Sequence, residues 1–260
     1  MPSSMRPKAP MHETDAPPTN PPPHWGEDKL TEFMQLATRA AWGAFMQPNT
    51  RPLVEKLMAI DATFLAAIEA LNGPTPNFFE GLMLVSAHSA FRSAAQFAME
   101  GRTCEAMVLL RSCLEYAVYA VHFHRKPELS EVWAHRGDGA NERKAVRKAF
   151  VMKEMLDGVI ALSNEVGERC RILYELTIDM GAHPNELGFF GRLNIQDVPG
   201  SQDKRFEIKY LQGGDIAHLS ALTTVCRASV CTLECFWLIY RIRYDLLEVS
   251  PKIEAIKIGL

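Results

Sequence analysis

The sequence of 260 residues contains none of the short motifs that identify the most easily recognised enzyme classes. It has no G-x-x-x-x-G-K-[ST] and no G-x-G-x-x-G, whose glycines let a backbone approach phosphates. It also has no G-x-S-x-G and no H-E-x-x-H, which present a nucleophile or two zinc ligands. The signatures of P-loop nucleotide binding, dinucleotide binding, α/β-hydrolase chemistry and zincin proteolysis are therefore missing.

The sequence also lacks an excess of charge of either sign. Its 28 Lys and Arg residues and 31 Asp and Glu residues give a formal net charge of -3, whereas a nucleic-acid-binding domain is normally basic. Basic clusters at residues 135–136 and 143–148 have acids nearby, which is typical of solvated helix faces. The charge therefore does not support nucleic acid as a partner, and we expect a small anionic ligand or a protein instead.

Long uncharged apolar runs are missing as well. Residues 1–24 contain no apolar core of a secretory signal, and the most apolar window, residues 217–240, is interrupted by Arg227 and Glu234. We therefore predict no secretory signal, no membrane association and a cytoplasmic location.

The six cysteines form no C-x-x-C pair. Cys231 and Cys235 are one helical turn apart in an apolar run, and buried thiols behave as small hydrophobic groups. The missing short spacings argue against a zinc knuckle and favour a reducing compartment. We predict no metal site and no cofactor.

Proline is concentrated in residues 1–24, which contain few apolar residues and are predicted to form a disordered tail. From residue 25 onward apolar residues recur with helical spacing, and residues 141–162 read as one helix. Residues 189–197 and 204–211 alternate partly with a period of two and flank a turn-rich loop. We predict a single mainly α domain over residues 25–260, an irregular helical bundle of about seven helices with one β-hairpin insertion near residues 189–211.

The most informative feature is a set of ionisable residues inside apolar helices. Arg111 and Glu115 are four residues apart, so they share a helix face and can pair. His88 and Arg92 have the same spacing on the preceding helix. Because an unpaired buried charge is costly, these pairs indicate either clamps that fix the register of the helices or a polar pocket between them.

Two further acid–histidine pairs lie near helix ends. Asp179 and His183 are four residues apart, where a histidine can act as a cap or take a functional role. Asp215 and His218 resemble half of the acid-x-x-His pattern of di-iron bundles, but the pattern occurs once and Asp215 is also suited to be an N-cap. We therefore do not predict a metal site from these residues.

One stretch of the chain resembles a family of uncharacterised bacterial helical proteins. The resemblance lies in the Arg-x-x-x-Glu helix from Leu109 to Glu115, the Lys-Pro-Glu-Leu turn at residues 126–129 and a later helix end at His183-Pro184-Asn185, and it covers about residues 79–185. That family is similar to the HEPN superfamily, many of whose members are RNases of toxin and phage-defence systems. The HEPN signature is an arginine followed after four to six residues by a histidine on one helix. No arginine on the predicted helices has a histidine at that distance, which argues against an RNase.

These patterns together favour a helical binding or interaction protein, acting in bacterial stress or phage defence, whose polar pocket holds a small anionic group. The predicted ligand-binding residues are His88, Arg92, Arg111, Glu115, Asp179 and His183. No catalytic residue is assigned. The alternatives are an enzyme, either a divergent HEPN-like RNase or a metal-dependent hydrolase, and a purely structural homo-oligomer that uses the apolar helix at residues 217–240 as its dimer face.

Overall fold

A computed structural model of the chain describes residues 20–71, 78–182 and 186–260. Helices make up 76% of the structure, which confirms the mainly α prediction. The α-helices within these ranges are α1 (Lys29–Met46), α2 (Arg51–Glu69), α3 (Phe78–Met99), α4 (Thr103–Arg125), α5 (Leu129–Ala134), α6 (Ala140–Ala149), α7 (Met152–Leu162), α8 (Asn164–Thr177), α9 (Glu186–Phe190), α10 (Ile216–Leu246) and α11 (Val249–Lys257). A 3₁₀ helix, His135–Gly137, follows α5, and a π-helical turn, Ile178–Ala182, follows α8. The strands are β1 (Leu193–Asp197) and β2 (Lys204–Ile208).

Most of the predicted disordered tail, residues 1–19, lies outside the described ranges. The first helix begins at Lys29, four residues later than the change in composition at residue 25. Its start is set by Asp28, whose carboxylate accepts hydrogen bonds from the N–H groups of Leu30 and Thr31 at 2.9 and 3.0 Å. An acid at this position satisfies N–H groups that have no partner within the helix.

The predicted number of about seven helices is wrong, because the described ranges contain eleven α-helices. The segment predicted as one helix at residues 141–162 divides into α6 and α7 at Phe150 and Val151, where Val151 has an extended backbone. Neither glycine nor proline marks this break in the sequence. A further helix, α11, is separated from α10 by Glu248, whose φ of 57° is left-handed and interrupts the helix.

The core is built around α4 and α10. The contact between α3 and α4 is the most extensive in the described fold, and Ala94 of α3 and Ala106 and Ala117 of α4 are 0% exposed. Such small side chains let two helices approach closely. On its other sides α4 contacts α7, α8 and α10, and α10 also contacts α2, α3, α8 and α11. The 31-residue α10 therefore lies inside the bundle.

Two helices, α4 and α10, are long and apolar enough to cross a membrane by length and composition alone. In the fold, 61% of the most apolar window of α4 and 78% of that of α10 are buried inside the protein. A helix that is apolar on most sides and surrounded by other helices has the pattern of a core helix. The dimer face predicted at residues 217–240 is consequently occupied, because that segment packs against the protein's own helices.

The predicted β-hairpin is confirmed, but its first strand begins at Leu193, because residues 189–190, predicted as strand, belong to α9. Its strands are antiparallel, with Leu193 paired to Ile208 and Ile195 paired to Phe206. Because side chains alternate between the two faces of a strand, these four apolar residues share one face of the hairpin. Ile195, Phe206 and Ile208 are exposed, Phe206 by 67%. The hairpin therefore presents an apolar face to its surroundings.

Gly101 joins α3 to α4 at a point of close backbone contact. Its φ is +75°, and a Cβ atom placed there would lie 1.8 Å from the carbonyl oxygen of Gln212. The carbonyl of Gly101 accepts a hydrogen bond from the Gln212 N–H at 3.0 Å, and the Gln212 side chain donates one to the Gly191 carbonyl at 2.9 Å. This contact fixes the segments on both sides of the hairpin to the end of α3.

We expect Gly101→Ala to lower the free energy of unfolding by about 2–4 kcal/mol, because alanine is strained at positive φ and its methyl group would displace the Gln212 backbone. Urea unfolding followed by circular dichroism measures the change. Gly213→Ala is the matched control, since nothing lies within 4 Å of a Cβ there. Equal stability of the two variants would contradict this role of Gly101.

Candidate functional site

The predicted pair of Arg111 and Glu115 is present on α4. Arg111 Nε donates to Glu115 Oε1 at 2.9 Å, and Arg111 Nη2 donates to the hydroxyl of Tyr174 on α8 at 2.8 Å. The Tyr174 hydroxyl donates in turn to Glu115 Oε1 at 3.2 Å. Burial, as the largest cause, raises the pKa of this hydroxyl. The three side chains join α4 to α8, which agrees with the helix-clamp interpretation.

Glu115 also lines a cavity of about 310 Å³ whose other lining residues include Tyr119 and Arg136. The Tyr119 ring stacks on Phe150, with 5.3 Å between the ring centres. Glu115 and Arg136 are the charged residues that line the cavity, and their formal charges cancel. The electrostatics of this cavity therefore give no preference for an anionic ligand.

His88 and Arg92 bind Asp61 on α2, a residue that sequence reasoning missed. Asp61 Oδ1 is 2.7 Å from both His88 Nε2 and Arg92 Nε, and Asp61 Oδ2 accepts from Arg92 Nη2 at 2.9 Å. The hydrogen bonds from Arg92, above all, and from His88 lower the pKa of Asp61 against the effect of burial. His88 is buried and stacks on Phe64, with 5.2 Å between the ring centres. This second cluster joins α2 to α3. The feature of the sequence that could have revealed it is the acid Asp61 within the otherwise apolar middle of α2.

Asp215 and His218 have structural roles at the start of α10. The Asp215 carboxylate accepts from the His218 N–H at 2.9 Å, as the N-cap interpretation predicts. His218 Nδ1 accepts from the Gly214 N–H at 2.9 Å, so Nε2 carries the proton and donates to the Ala98 carbonyl, also at 2.9 Å. Both ring nitrogens are therefore engaged with the backbone, which leaves His218 no lone pair for a metal ion.

Asp179 and His183 are the last two predicted residues. Asp179 is exposed on the π-helical turn, and His183 lies outside the described residues. Four of the predicted residues form two clusters, His88 with Arg92 between α2 and α3 and Arg111 with Glu115 between α4 and α8, and Asp179 belongs to neither. A single pocket that unites all six residues therefore stays a prediction.

A different cleft lies where α8, α10 and α11 meet. Glu234 on α10 is 4% exposed and binds two cations, with Oε2 2.7 Å from Arg169 Nη2 on α8 and Oε1 3.1 Å from Lys257 Nζ on α11. Burial raises the pKa of Glu234, and both cations act against this shift. Glu165 and Glu254, on the same helices as the cations, pair with Arg169 at 3.1 Å and with Lys257 at 3.0 Å. The buried carboxylate is thus neutralised from two sides.

The cleft has a volume of about 430 Å³, and its walls are mainly apolar side chains, including Ile172 and Leu173 of α8 and Val230 of α10. Arg227, three residues before Val230, also lines it and is exposed. Within the described part of the chain, no carboxylate lies at ion-pair distance from Arg227. Mainly apolar walls with a few polar groups are the usual form of a small-molecule site.

Part of this cleft was visible in the sequence. Arg227 and Glu234 interrupt the most apolar window and are seven residues apart, so they share one face of α10. By themselves these two charges indicate only that the window is not a membrane span. Arg169 and Lys257 belong to distant helices, and nothing in the linear pattern links them to Glu234.

One group of side chains in the described residues is arranged as metal ligands could be. The Sγ atoms of Cys170 on α8 and of Cys231 and Cys235 on α10 all lie within 4.8 Å of one another. All three thiols are buried. The pair on α10 is visible in the sequence, but only the fold adds Cys170.

Comparison of the chain with protein-family models, with curated proteins and with solved structures gave no match. The resemblance to uncharacterised HEPN-like proteins stays a prediction. The function has to be inferred from the chain's own residues.

We expect Asp61→Asn to lower the free energy of unfolding at pH 7 by about 1–3 kcal/mol, because His88 and Arg92 lose their charged acceptor. The pKa of Asp61 is lower in the folded protein than the ordinary aspartate value of 3.8. The stabilisation is therefore complete above that value and is lost as the pH falls through the folded pKa. Urea unfolding at pH 7 and pH 3 should show the difference between the two proteins shrinking in acid.

Glu69→Gln is the control, because it neutralises an exposed acid at the end of the same helix. We expect a change below about 0.5 kcal/mol for it at either pH. If Asp61→Asn lowers the free energy of unfolding equally at pH 7 and pH 3, the ionised carboxylate of Asp61 does not contribute to stability and the prediction is wrong.

Proposed function

We propose that the protein is a binding module for a small anion with an apolar body, and that the cleft between α8, α10 and α11 is its binding site. The observation that carries the proposal is a cleft of about 430 Å³ with mainly apolar walls, three cations and one carboxylate. The volume falls in the range of roughly 300–1,000 Å³ that is usual for small-molecule sites.

The charges favour an anion over a cation. Arg169 and Lys257 share the charge of Glu234 between them, which leaves Arg227 as the cation without a carboxylate among the described residues. A guanidinium can hold a carboxylate or phosphate through two parallel charge-assisted hydrogen bonds. Arg227 is therefore the residue that anchors the anionic group.

The walls of the cleft determine the chemistry of the part of the ligand that carries no charge. Leu173 and Val230 are 6% and 5% exposed, so they form a firm apolar surface, while Ile172 is 62% exposed at the rim. Burying a ligand's hydrocarbon on this surface contributes roughly 25 cal/mol for each Å² of apolar area removed from water. A carboxylate on an aliphatic or aromatic body satisfies both halves of the cleft.

This proposal keeps the predicted class of ligand, a small anion, and moves its site from Arg111 to Arg227. Binding is favoured over the enzymatic alternatives because Glu234, the carboxylate that lines the cleft within the described residues, is buried and engaged by Arg169 and Lys257 rather than free to act as an acid–base group. The cytoplasmic location and the role in stress or phage defence stay part of the hypothesis.

We expect octanoate to bind the protein with one-to-one stoichiometry and octanol to bind at least tenfold more weakly, because the two differ in the charge that Arg227 holds. Arg227→Gln should weaken octanoate binding about tenfold, or about 1.4 kcal/mol, and leave octanol binding unchanged. Isothermal titration calorimetry measures both.

Arg205→Gln is the matched control for this experiment, since Arg205 is an exposed arginine on β2, outside the residues that line the cleft. Its affinity for octanoate should equal that of the unsubstituted protein. The proposal would be abandoned if octanoate and octanol bound equally well, or if Arg205→Gln weakened binding as much as Arg227→Gln.

Self-association remains the rival hypothesis, and one observation favours it. The hairpin face formed by Leu193, Ile195, Phe206 and Ile208 is largely exposed, and a two-stranded hairpin alone is only marginally stable in water. Light scattering on the purified protein separates the two hypotheses, because a monomer that binds octanoate supports the binding module alone.

A further inference from the structure

Three thiols meet between α8 and α10. Cys231 and Cys235 are one turn apart and project from the same face of α10, and Cys170 on α8 completes the group. All three residues are 0% exposed, and their Sγ atoms lie within 4.8 Å of one another. No imidazole or carboxylate belongs to this group, so the ligand set that the described residues provide consists of sulfur alone.

The three thiols face one another at the interface of the two helices. Their Sγ atoms lie within 4.8 Å of one another, and Cys231 Sγ also lies 3.8 Å from the carbonyl oxygen of Val166. A thiolate is the form that binds metal ions, so a cation that enters this group displaces the thiol protons.

The spacing suits a metal ion without rebuilding the helices. A metal–sulfur bond of about 2.3 Å places the sulfurs of a trigonal or tetrahedral site roughly 3.8–4.0 Å apart. Separations of up to 4.8 Å reach that value through small changes of cysteine side-chain torsions. Sulfur-only ligand sets select soft or borderline cations such as Zn²⁺ and Cu⁺ and disfavour Mg²⁺ and Ca²⁺.

Two neighbouring groups complete the environment. Cys113 on α4 is also 0% exposed, and its Sγ lies 3.5 Å from the hydroxyl of Thr232, the residue after Cys231. The Nε atom of Arg169 is buried and makes no hydrogen bond within the described part of the chain. A cation and an unused N–H donor beside the thiols would offset the negative charge of a metal–thiolate complex.

The thiol group is next to the cleft between α8, α10 and α11 in the sequence. Arg169 and Glu234, which line the cleft, are the direct sequence neighbours of Cys170 and Cys235. Because the three thiols are 0% exposed, a metal ion reaches them only when the surrounding side chains move.

We infer that Cys170, Cys231 and Cys235 form a thiolate site for a thiophilic cation with a filled d shell, Zn²⁺ or Cu⁺, with Cys113 available as a fourth ligand. Binding Zn²⁺ at the three cysteines replaces three thiol protons, which leave to solvent, and gives a complex of charge -1. The inference departs from the expectation of no metal site, which rested on linear spacing. It is independent of the anion-binding proposal.

Reduced, metal-free full-length protein is titrated anaerobically with Cd²⁺, whose bonds to thiolates give an ultraviolet charge-transfer band, and then with Zn²⁺ and Cu⁺ as competitors. We expect one Cd²⁺ per chain and displacement of Cd²⁺ by at least one of the two competitors. Cys170→Ala and Cys231→Ala should each weaken Cd²⁺ binding at least about 100-fold, more than the loss of an outer-shell partner costs.

Cys226→Ala is the matched control. Cys226 is a fully buried cysteine on the same helix, but its thiol faces the Leu53 carbonyl of α2. This variant should bind Cd²⁺ as the unsubstituted protein does. A smaller charge-transfer band in Cys113→Ala would identify four thiolates and an unchanged band three, and either result supports the site.

Variants of buried cysteines can fail to fold, so the unsubstituted protein gives a second measurement. The bound cation should slow the reaction of the thiols with a disulfide reagent and raise the melting temperature. If the reduced protein gives no charge-transfer band at a 1:1 ratio, or if Cys226→Ala loses binding together with Cys170→Ala, the thiols are apolar packing only and the inference is wrong.

Discussion

The burial of α10 is the constraint on which the rest of the structure depends. A helix that lies inside a bundle cannot leave a charged side chain to water, so a buried charge there needs a partner on a neighbouring helix. Glu234 finds Arg169 on α8 and Lys257 on α11. The Tyr240 hydroxyl donates to the buried Glu80 of α3 at 2.7 Å. Each of these ion pairs and hydrogen bonds stabilises α10 and fixes the register of another helix against it.

The same rule accounts for the ion pairs away from α10. Asp61 holds α2 to α3 through His88 and Arg92, and Arg111 with Glu115 holds α4 to α8 through a tyrosine. In every case the polar group on one helix is matched by groups on the next, and removing one partner leaves the other desolvated. Polar contacts in this protein therefore specify which helices are neighbours, while the alanine-rich contact of α3 and α4 supplies close packing.

The sequence predicts local features of this fold well and tertiary features poorly. Apolar periodicity located the helices and the hairpin, and four-residue spacing predicted the pair of Arg111 and Glu115, because these are properties of neighbouring residues. The helix after Glu248 was missed although Pro251 lies in its first turn. The break at Phe150 was missed because no glycine or proline marks it. There the tertiary environment overrides the local preference for helix.

The same division applies to the candidate sites. Arg227 with Glu234, and Cys231 with Cys235, are visible as spacings on one helix. Their partners, Lys257 and Cys170, are on helices whose position no linear pattern encodes. The sequence therefore predicts the residues that α10 contributes to the cleft and to the thiol group. It does not predict the residues from the other helices, and these complete the ion pairs of the cleft and the third thiol of the group.

The position of Lys257 on α11 has a consequence for how the end of the chain behaves. Lys257 favours the ionised form of Glu234, so by reciprocity an ionised Glu234 favours the attachment of α11 to the bundle. Burial opposes that ionisation and raises the pKa of Glu234. Protonation of one carboxyl group and undocking of one short helix are thus linked equilibria. Since Lys257 also lines the cleft, the charge of Glu234 helps to hold that wall of the cleft in place, together with the buried apolar residues Val249, Ile253 and Ile256.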